Sequence, residues 1–328
     1  MIEYYNALFV SMEGAVEIQI TAADAGKTVL TMARLHLGFS SALLKKLKFT
    51  EGGITVNGTH VTVRYVLKEG DLLAFAMDDT EEDVSPYIVP SPLALPVLFE
   101  DEEITAVNKP PDMPAHPSFG HRHDTVANAL AYRYNDRPYV FRPVNRLDRD
   151  TSGVMLTANS KLAAYKMASA MQGHRIHKAY IAVLHGHLSE TAGVITDPIR
   201  RTAESIITRE VCKADAPGAH TAETRYRVIA EAEGYSVVAA YPITGRTHQI
   251  RVHFTAKGCP LVGDDLYGTP SPHIGRHALH AAASSFPHPK SGEKITVRAP
   301  LPDDMQRLVT VLFGDRAAEI FEEIEKLC

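Results

Sequence analysis

Apolar residues recur at helical spacing in the first part of the chain. They fall three and four positions apart between residues 29 and 37, and again between residues 43 and 47, which predicts two short helices. Gly38 is placed to end the first helix, and Ser40 is placed to cap the second. The lysines of the second helix stand apart from its leucines, so one face of this helix is predicted to be basic.

A β-hairpin is predicted to follow these helices. The Asn57-Gly58 pair separates two alternating runs, the second of which covers residues 60–63, and such a pair is a strong signal for a two-residue hairpin. A further strand is predicted near residues 72–75. Two helices followed by a hairpin indicate a small, self-contained α/β domain.

The composition changes after this domain. Residues 81–96 combine acidic side chains with several prolines, which is typical of an extended linker rather than of a packed element. We therefore expect a small N-terminal α/β domain over residues 1–80, with its core at about residues 17–77, and a second domain beyond the linker.

Short β-rich runs dominate residues 97–303. Helices alternate with them irregularly, at about residues 125–134 and 161–172. Strands adjacent in sequence outnumber strand-helix-strand units, so the predicted fold class is α+β with a mixed, largely antiparallel sheet. Residues 304–328 are predicted to form an amphipathic helical tail. The predicted strands cover residues 104–107, 154–158, 179–184, 222–230 and 236–241.

Length and composition exclude several classes of protein. With 328 residues, 45% of them hydrophobic and 22% charged, the chain has the composition of a globular protein of two domains. No apolar run approaches the length of a membrane span, and the first residues lack the basic start and apolar middle of a signal peptide, so we expect a cytoplasmic protein. Cys212, Cys259 and Cys328 are widely scattered, which predicts neither a disulfide framework nor a zinc site.

The distribution of charged residues along the chain is more informative about function than the net charge. A net charge of −5 argues against a nucleic-acid-binding protein unless the charges are unevenly placed. Acidic residues concentrate at 78–83 and 100–103, away from the candidate site described below, whereas Arg142, Arg146 and Arg149 cluster. A locally basic cleft on an acidic protein is compatible with this distribution.

Residues 146–153, Arg-Leu-Asp-Arg-Asp-Thr-Ser-Gly, carry the densest chemistry of the chain. The segment places arginines, carboxylates and hydroxyls directly ahead of the apolar run at 154–156. A loop that leads into a buried strand leaves its side chains reachable while the strand fixes the backbone, which makes Asp148 the candidate reacting residue. The alternative is an Asx or type I turn in which Arg146 and Arg149 are merely solvated, and the residues alone leave both interpretations open.

Two other functional classes compete on the residues alone. A metal-dependent hydrolase is suggested by sixteen histidines, among them the pair His121 and His123 and the series His273, His277 and His280. No HExxH motif, matched carboxylate or cysteine pair accompanies them, which favours surface or core histidines. A nucleotide-dependent enzyme is disfavoured, because neither a phosphate-binding glycine loop nor a GxGxxG motif follows any predicted strand.

Six blocks of sequence resemble the RluA-type pseudouridine synthases in order and spacing. The resemblance extends from about residue 97 to about residue 302. The blocks are VNKPPDMPAHPS at 107–118, RLDRDTSG at 146–153, KAYIAVLHG at 178–186, TGRTHQIRVH at 244–253, LVGDDLYG at 261–268 and ALHAAASSFPHP at 278–289.

The resemblance implies an RNA pseudouridine synthase with a central cleft that needs neither cofactor nor metal ion. Such an enzyme cleaves the bond between ribose and nitrogen 1 of uracil, turns the freed base, and rejoins it through carbon 5. It implies that Asp148 acts at the sugar and that Arg251 pairs with this carboxylate and keeps it ionised. It also implies that Tyr180 stacks on the base and is a candidate for removing the proton from carbon 5.

Other matched positions imply contacts with RNA. Arg146 would help to fill the gap left by a nucleotide turned out of its helix, and Leu279 would line the uracil pocket. Arg246 and His248 would bind backbone phosphates or support the scaffold. Asn145 stands where the family commonly has His; an amide cannot carry a proton, so we expect it to contact RNA or to belong to the scaffold.

The N-terminal domain resembles the small RNA-binding domain named for ribosomal protein S-four. Arg34, Lys45 and Lys46 are its candidate RNA-binding residues, and the alternative is a generic small domain whose lysines form a solvated face. The expected partner is structured RNA, with 23S-type ribosomal RNA as the expected substrate of a monomeric enzyme. The alternatives are a tRNA-modifying enzyme with the same chemistry and a non-catalytic RNA-binding module. Asp112 is a further departure, because glycine is common at its position.

Overall fold

The computed structural model describes residues 9–10, 15–37, 39, 41–77 and 79–327. Gly38 and Ser40 lie outside the described residues, so their predicted roles at helix ends stay predictions. In the N-terminal region the strands form an antiparallel sheet in the order β1-β2-β5-β3-β4. Its elements are β1 (Phe9–Val10), β2 (Ala15–Gln19), α1 (Val29–Thr31, continued by a π-helical turn over Met32–His36), α2 (Ser41–Phe49), β3 (Ile54–Val56), β4 (Thr59–His60) and β5 (Leu72–Ala76).

Both predicted helices and the hairpin of this region are confirmed. Asn57 and Gly58 have φ angles of 50° and 76°, the left-handed conformation that a tight hairpin turn requires. The predicted strand over residues 60–63 is wrong beyond His60, because the chain turns there and the Tyr65 amide donates to the Thr62 carbonyl.

The segment between the two sheets is not simply an extended linker. It contains a short 3₁₀ helix at Glu81–Asp83, and the Asp83 carboxylate forms ion pairs with Lys46 of α2 and with Lys161, the latter at 3.1 Å. Asp79 accepts a hydrogen bond of 2.8 Å from Arg142. The acidic residues 79 and 83 therefore neutralise cations that precede them in the chain and cations that follow them.

The second sheet has nine strands in the order β10-β13-β14-β9-β15-β8-β7-β6, with β16 paired to β15. Among the described strands only β8 and β15 pair in parallel, so the predicted α+β class with a mixed, largely antiparallel sheet is confirmed. A separate two-stranded sheet joins β11 and β12. The strands are β6 (Val97–Glu100), β7 (Ile104–Lys109), β8 (Ser152–Ala158), β9 (His177–His185), β10 (Ala192–Ile195), β11 (Ile199–Arg201), β12 (Arg209–Val211), β13 (Thr224–Ala232), β14 (Tyr235–Pro242), β15 (Leu279–Pro287) and β16 (Lys294–Arg298).

Strand β9 lies in the middle of this sheet and separates two cores. Tyr180 and Leu184 pack in one hydrophobic cluster, whereas Ile181 and Val183 pack in the other, as the two-residue period of a strand requires. Burial of both faces explains why this strand is apolar at nearly every position.

Five helices cover the faces of the sheet. The hydroxyls of Thr125 and Ser160 cap the first two of them. The predicted tail is two helices rather than one, because Gly314 adopts a φ of 55° between them. The helices are α3 (Val126–Arg133), α4 (Lys161–Gln172), α5 (Gln249–Ala256), α6 (Asp303–Phe313) and α7 (Ala317–Glu325). No helix in the described part of the chain has the length and apolar character needed to cross a membrane.

Candidate active site

A cavity of about 800 Å³ opens in the second domain at the ends of its central strands. It brings together every residue of this domain that the sequence analysis selected, although these residues are up to 133 positions apart in the chain. Residues selected by the sequence that line the cavity are Arg146, Asp148, Tyr180, Arg246, His248, Arg251 and Leu279.

Asp148 lies in the loop that leads into β8. The loop is a turn, since the Thr151 amide donates to the Asp148 carbonyl at 3.1 Å, and it also borders the cavity. The predicted turn is therefore present, although Arg149 pairs with Asp150 at 3.1 Å instead of being merely solvated, and a reacting role for Asp148 stays a prediction. The Asp148 side chain is 26% exposed, and its Oδ2 lies 3.4 Å from a guanidinium nitrogen of Arg251 and 4.0 Å from Nε2 of His248.

Arg251 lies in the first turn of α5 and is almost completely buried. Arg251 forms an ion pair with Asp148, but this pair is longer than the one that Arg251 forms with Asp264. Asp264, which is fully buried, accepts two hydrogen bonds from Arg251 at 2.7 and 2.8 Å. The predicted pair of Arg251 with Asp148 is present, and Asp264 is a second, closer partner that the sequence analysis did not predict.

The electrostatics of this pair favour the charged forms. Burial alone would lower the pKa of Arg251 and raise that of Asp264. The hydrogen bonds and mutual attraction of the two groups outweigh burial, so the pKa of Arg251 is raised and that of Asp264 is lowered. The sequence analysis missed Asp264, although the first aspartate of the block at 261–268 was a signal that could have found it.

Tyr180 projects from β9 and is 7% exposed. Burial raises the pKa of its phenol, and the nearby Asp148 charge raises it further, so the phenol keeps its proton at neutral pH. A hydrogen bond with the Asn145 side chain lowers the pKa of the phenol and so opposes these two effects. Asn145 also accepts from the Leu156 amide at 2.8 Å, which makes it part of the scaffold beneath Tyr180.

Two buried cations that the sequence analysis did not select hold the Asp148 loop in place. The ammonium of Lys109 donates to the carbonyls of Pro110, Met113 and Arg149 at 2.7 to 2.8 Å. Burial lowers the pKa of Lys109 to about 7, against the attraction of nearby carboxylates. In the sequence, Lys109 was indicated only by its place in the block at 107–118.

Arg276 supports the same loop from the other side. Its guanidinium donates to the Asp150 carbonyl at 2.9 Å and pairs with Asp304 of α6 at 2.7 Å. No sequence signal singled out this arginine. Because two buried cations bind the consecutive carbonyls of Arg149 and Asp150, the loop has little freedom to move.

The remaining selected residues lie around the cavity. His248 adopts a φ of 58° at the start of α5, and its Nδ1 lies 2.8 Å from the Tyr267 hydroxyl. Arg246 is exposed and donates to the Thr221 carbonyl at 3.0 Å. Leu279 is buried at the cavity wall, whereas Arg146 is exposed at its rim.

The histidines are explained by their surroundings. His277 and His280 are buried against the hydroxyls of Thr151 and Ser152, at 2.8 and 3.0 Å. Burial lowers the pKa of both histidines to about 4. Within the described residues, no three His, Cys, Asp or Glu side chains are grouped so that they could hold a metal ion.

The three N-terminal candidates lie outside the cavity lining. Lys45 is exposed on α2, and Arg34 is exposed and donates to the Ser41 hydroxyl at 3.0 Å. Lys46 is only half exposed and is paired with Asp83. The candidate role of Lys46 in RNA binding therefore competes with this ion pair.

Asp112 has a φ of 57°, the left-handed conformation that glycine adopts most readily. This explains why glycine is common at this position in the family that the sequence resembles. Aspartate tolerates the conformation better than most residues do.

Comparison with known proteins identifies the relatives of this chain. Residues 103–256 match the family model described as RNA pseudouridylate synthase. The "uncharacterized RNA pseudouridine synthase YjbO" of Bacillus subtilis is 41% identical over 276 residues, which cover 84% of this chain and 95% of that protein. The "ribosomal large subunit pseudouridine synthase D" of Neisseria meningitidis is 32% identical over 88% of this chain and 79% of that protein. Among solved structures, "human RNA pseudouridylate synthase domain containing 1" matches with a TM-score of 0.55 and 27% identity over 71% of this chain and 96% of that chain.

Proposed function

Since the chain belongs to the RNA pseudouridylate synthase family, we propose that it isomerises uridines of large-subunit ribosomal RNA through the carboxylate of Asp148. That the chain is an RNA pseudouridine synthase follows from the family; the substrate and the roles of single residues are the proposal. The observation that carries the proposal is the Asp148 carboxylate on the cavity wall, 3.4 Å from a buried guanidinium and close to a buried tyrosine.

The reaction needs a group that acts at the anomeric carbon. In the proposed sequence the Asp148 carboxylate assists departure of uracil, and the electron pair of the broken bond goes to nitrogen 1. The freed base turns and carbon 5 bonds to the anomeric carbon; carbon 5 then loses its proton and nitrogen 1 takes one up from solvent. Arg251 supports the first step because its guanidinium, held by Asp264, lies 3.4 Å from the Asp148 carboxylate and orients it.

Tyr180 is proposed as the surface that retains the free base. Stacking is worth about 1–3 kcal/mol per base, which opposes escape of uracil between the two bond changes. Because the phenol keeps its proton at neutral pH, a role for Tyr180 in removing the proton from carbon 5 requires that its own proton be passed on. The carboxylate of Asp148 is the nearby group that can accept it.

Ribosomal RNA is proposed as the substrate for two reasons. Several relatives are named for the ribosomal large subunit, among them the Neisseria meningitidis and Vibrio cholerae proteins. The N-terminal domain adds exposed cations at Lys45 and Arg34, which suits a large structured RNA. We propose a monomer, because one chain supplies all the residues named above for the cavity. We also propose that it acts in the cytoplasm, since its proposed substrate is ribosomal RNA.

The test uses large-subunit ribosomal RNA transcribed in vitro with tritium at carbon 5 of its uridines. The wild-type protein should release tritium, and Asp148→Asn should bind the RNA with unchanged affinity while releasing none. Binding without release by the wild-type protein would indicate a non-catalytic module, and release from transfer RNA alone would indicate the other substrate class. Substantial release by Asp148→Asn would refute the role of Asp148.

A further inference from the structure

Lys178 is a largely buried lysine that the catalytic proposal leaves without a role. It lies on β9 and its side chain is 8% exposed. Among the described residues no acceptor lies within hydrogen-bonding distance of its ammonium, and no carboxylate forms an ion pair with it. Burial lowers the pKa of Lys178, with no compensating charge in its surroundings.

Lys178 lies between two adjoining cavities. Besides the active-site cavity, a second one of about 520 Å³ is lined by Lys178, and His174, Pro242 and Ile243 also border both. The two spaces are therefore neighbours, and the ammonium of Lys178 is available to a ligand that extends from one to the other.

The carboxylates that line these cavities already have cationic partners. Asp148 is paired with Arg251, and the Glu223 carboxylate accepts a hydrogen bond of 2.9 Å from Arg225. A mostly buried ammonium without an ion-pair partner is unfavourable, so an anion that enters the cavities and supplies the counter-charge would be bound favourably there.

The position of Lys178 on its strand indicates which anion. Side chains two residues apart on a strand point to the same face, so Lys178 lies on the face of Tyr180 and about 7 Å along β9 from it. A strand of RNA whose uracil stacks on Tyr180 has to place its adjoining backbone next to this position. The anion that accompanies every nucleotide is its phosphodiester.

We propose that Lys178 binds a backbone phosphate of the RNA strand adjacent to the target nucleotide, and that the second cavity receives the neighbouring nucleotide. This rests on the proposed function, since it takes the base on Tyr180 as uracil. The proposal adds a binding site for the RNA strand. It gives a role to the charge of Lys178, which the isomerisation itself does not use.

The test measures binding of a fluorescein-labelled hexauridylate, which requires neither catalysis nor knowledge of the natural substrate. Lys178→Met keeps the length of the side chain and removes the charge. It should weaken binding roughly ten-fold, and the slope of log affinity against log salt should become shallower by about 0.7, the value for one phosphate contact on a single strand. Lys294→Met, which removes an exposed lysine from β16, is the matched control and should leave both quantities unchanged.

Thermal unfolding separates this role from a structural one. Removing an unpaired buried charge should leave the melting temperature unchanged or raise it, because the site is then less strained without its ligand. Weaker binding together with a lower melting temperature would mean that Lys178 supports the fold, and unchanged binding would also overturn the proposal. Lys178→Arg keeps the charge and should keep the salt slope of the wild type.

Failure of the phosphate site and failure of the proposed function give different results. If the wild-type protein releases no tritium from any RNA but hexauridylate binding depends on Lys178, the proposed function fails and the phosphate site stands. If tritium is released and Lys178→Met binds and reacts as the wild type does, the phosphate site fails alone.

Discussion

Replacing Asp264 by asparagine tests how the active site is held together. Asp264 is fully buried and binds Arg251 through both carboxylate oxygens, and one of these also accepts the amides of Leu266 and Tyr267 at 3.1 Å. The substitution keeps the shape and an amide-accepting oxygen but removes the charge. Arg251, which is 3% exposed, is then left with the more distant and more exposed Asp148.

The expected magnitude follows from burial. Removing one partner of a buried ion pair costs about 3–5 kcal/mol, so Asp264→Asn should lower the free energy of unfolding by that amount. For a domain of this size the melting temperature should fall by on the order of 10 °C. Asp148 is 26% exposed and 3.4 Å away, so Asp148→Asn should change stability by no more than about 1 kcal/mol.

The two variants should show opposite patterns of damage. Asp148→Asn should abolish isomerisation in a stable protein, whereas Asp264→Asn should leave a less stable protein that retains activity reduced by about 10²-fold, because Arg251 loses its orientation. Circular dichroism during heating and tritium release measure the two properties. Arg251→Met combined with Asp264→Asn should destabilise less than the sum of the two changes, since the uncompensated charge is gone.

An Asp264→Asn protein as stable as the wild type would refute this reasoning. So would a melting temperature lowered by Asp148→Asn and not by Asp264→Asn. Either result would mean that the guanidinium of Arg251 is held by its contact with Asp148 rather than by the bidentate pair.

Three further outcomes are expected. Tyr180→Phe should leave RNA affinity unchanged and slow single-turnover tritium release by about 10²-fold; an unchanged rate would exclude any proton-transfer role for the phenol. Gly153→Ala should lower the melting temperature strongly and yield little folded protein, because Gly153 has a φ of 108° and an added Cβ would lie 2.2 Å from the Ala281 carbonyl oxygen; a stable variant would contradict the close approach of β8 and β15. His277 and His280 have pKa values of about 4 in the folded protein, against about 6.5 in the unfolded chain. Between pH 6.5 and pH 4 these histidines are therefore protonated in the unfolded chain only. Acidification over this range should lower the free energy of unfolding by about 3 kcal/mol per histidine. Urea unfolding at pH 7, 5 and 4 measures this loss, which should be smaller in His280→Gln, and stability that does not change with pH would contradict it.

Much of the fold could be predicted because its signals are local. The hairpin at Asn57 and Gly58 and the helix that Ser160 caps depend on a few neighbouring residues. The alternating faces of β9 likewise follow from period two. What the sequence could not predict is long-range pairing, such as the ion pairs of Asp83 with Lys46 and Lys161, because nothing near an acidic run indicates which distant cations it meets.

The candidate site could likewise be predicted in part from the sequence. Family position was sufficient to select Asp148, Tyr180 and Arg251, which line one cavity. It did not reveal that Asp264 is the main partner of Arg251, nor that Lys109 fixes the loop through three carbonyls. Both facts depend on side-chain rotamers and burial, which no spacing of residues in the chain encodes.

The order β9-β15-β8 in the middle of the sheet has a consequence for how such an enzyme changes over evolution. These three neighbouring strands carry Tyr180, Leu279 and the loop of Asp148, so the distances among the proposed site residues are set by backbone ladders about 4.8 Å apart. Arg146 and Arg246 lie on exposed segments at the rim, where substitutions leave those ladders untouched. Substrate choice can therefore diverge between descendants of one ancestor while the chemistry is inherited unchanged.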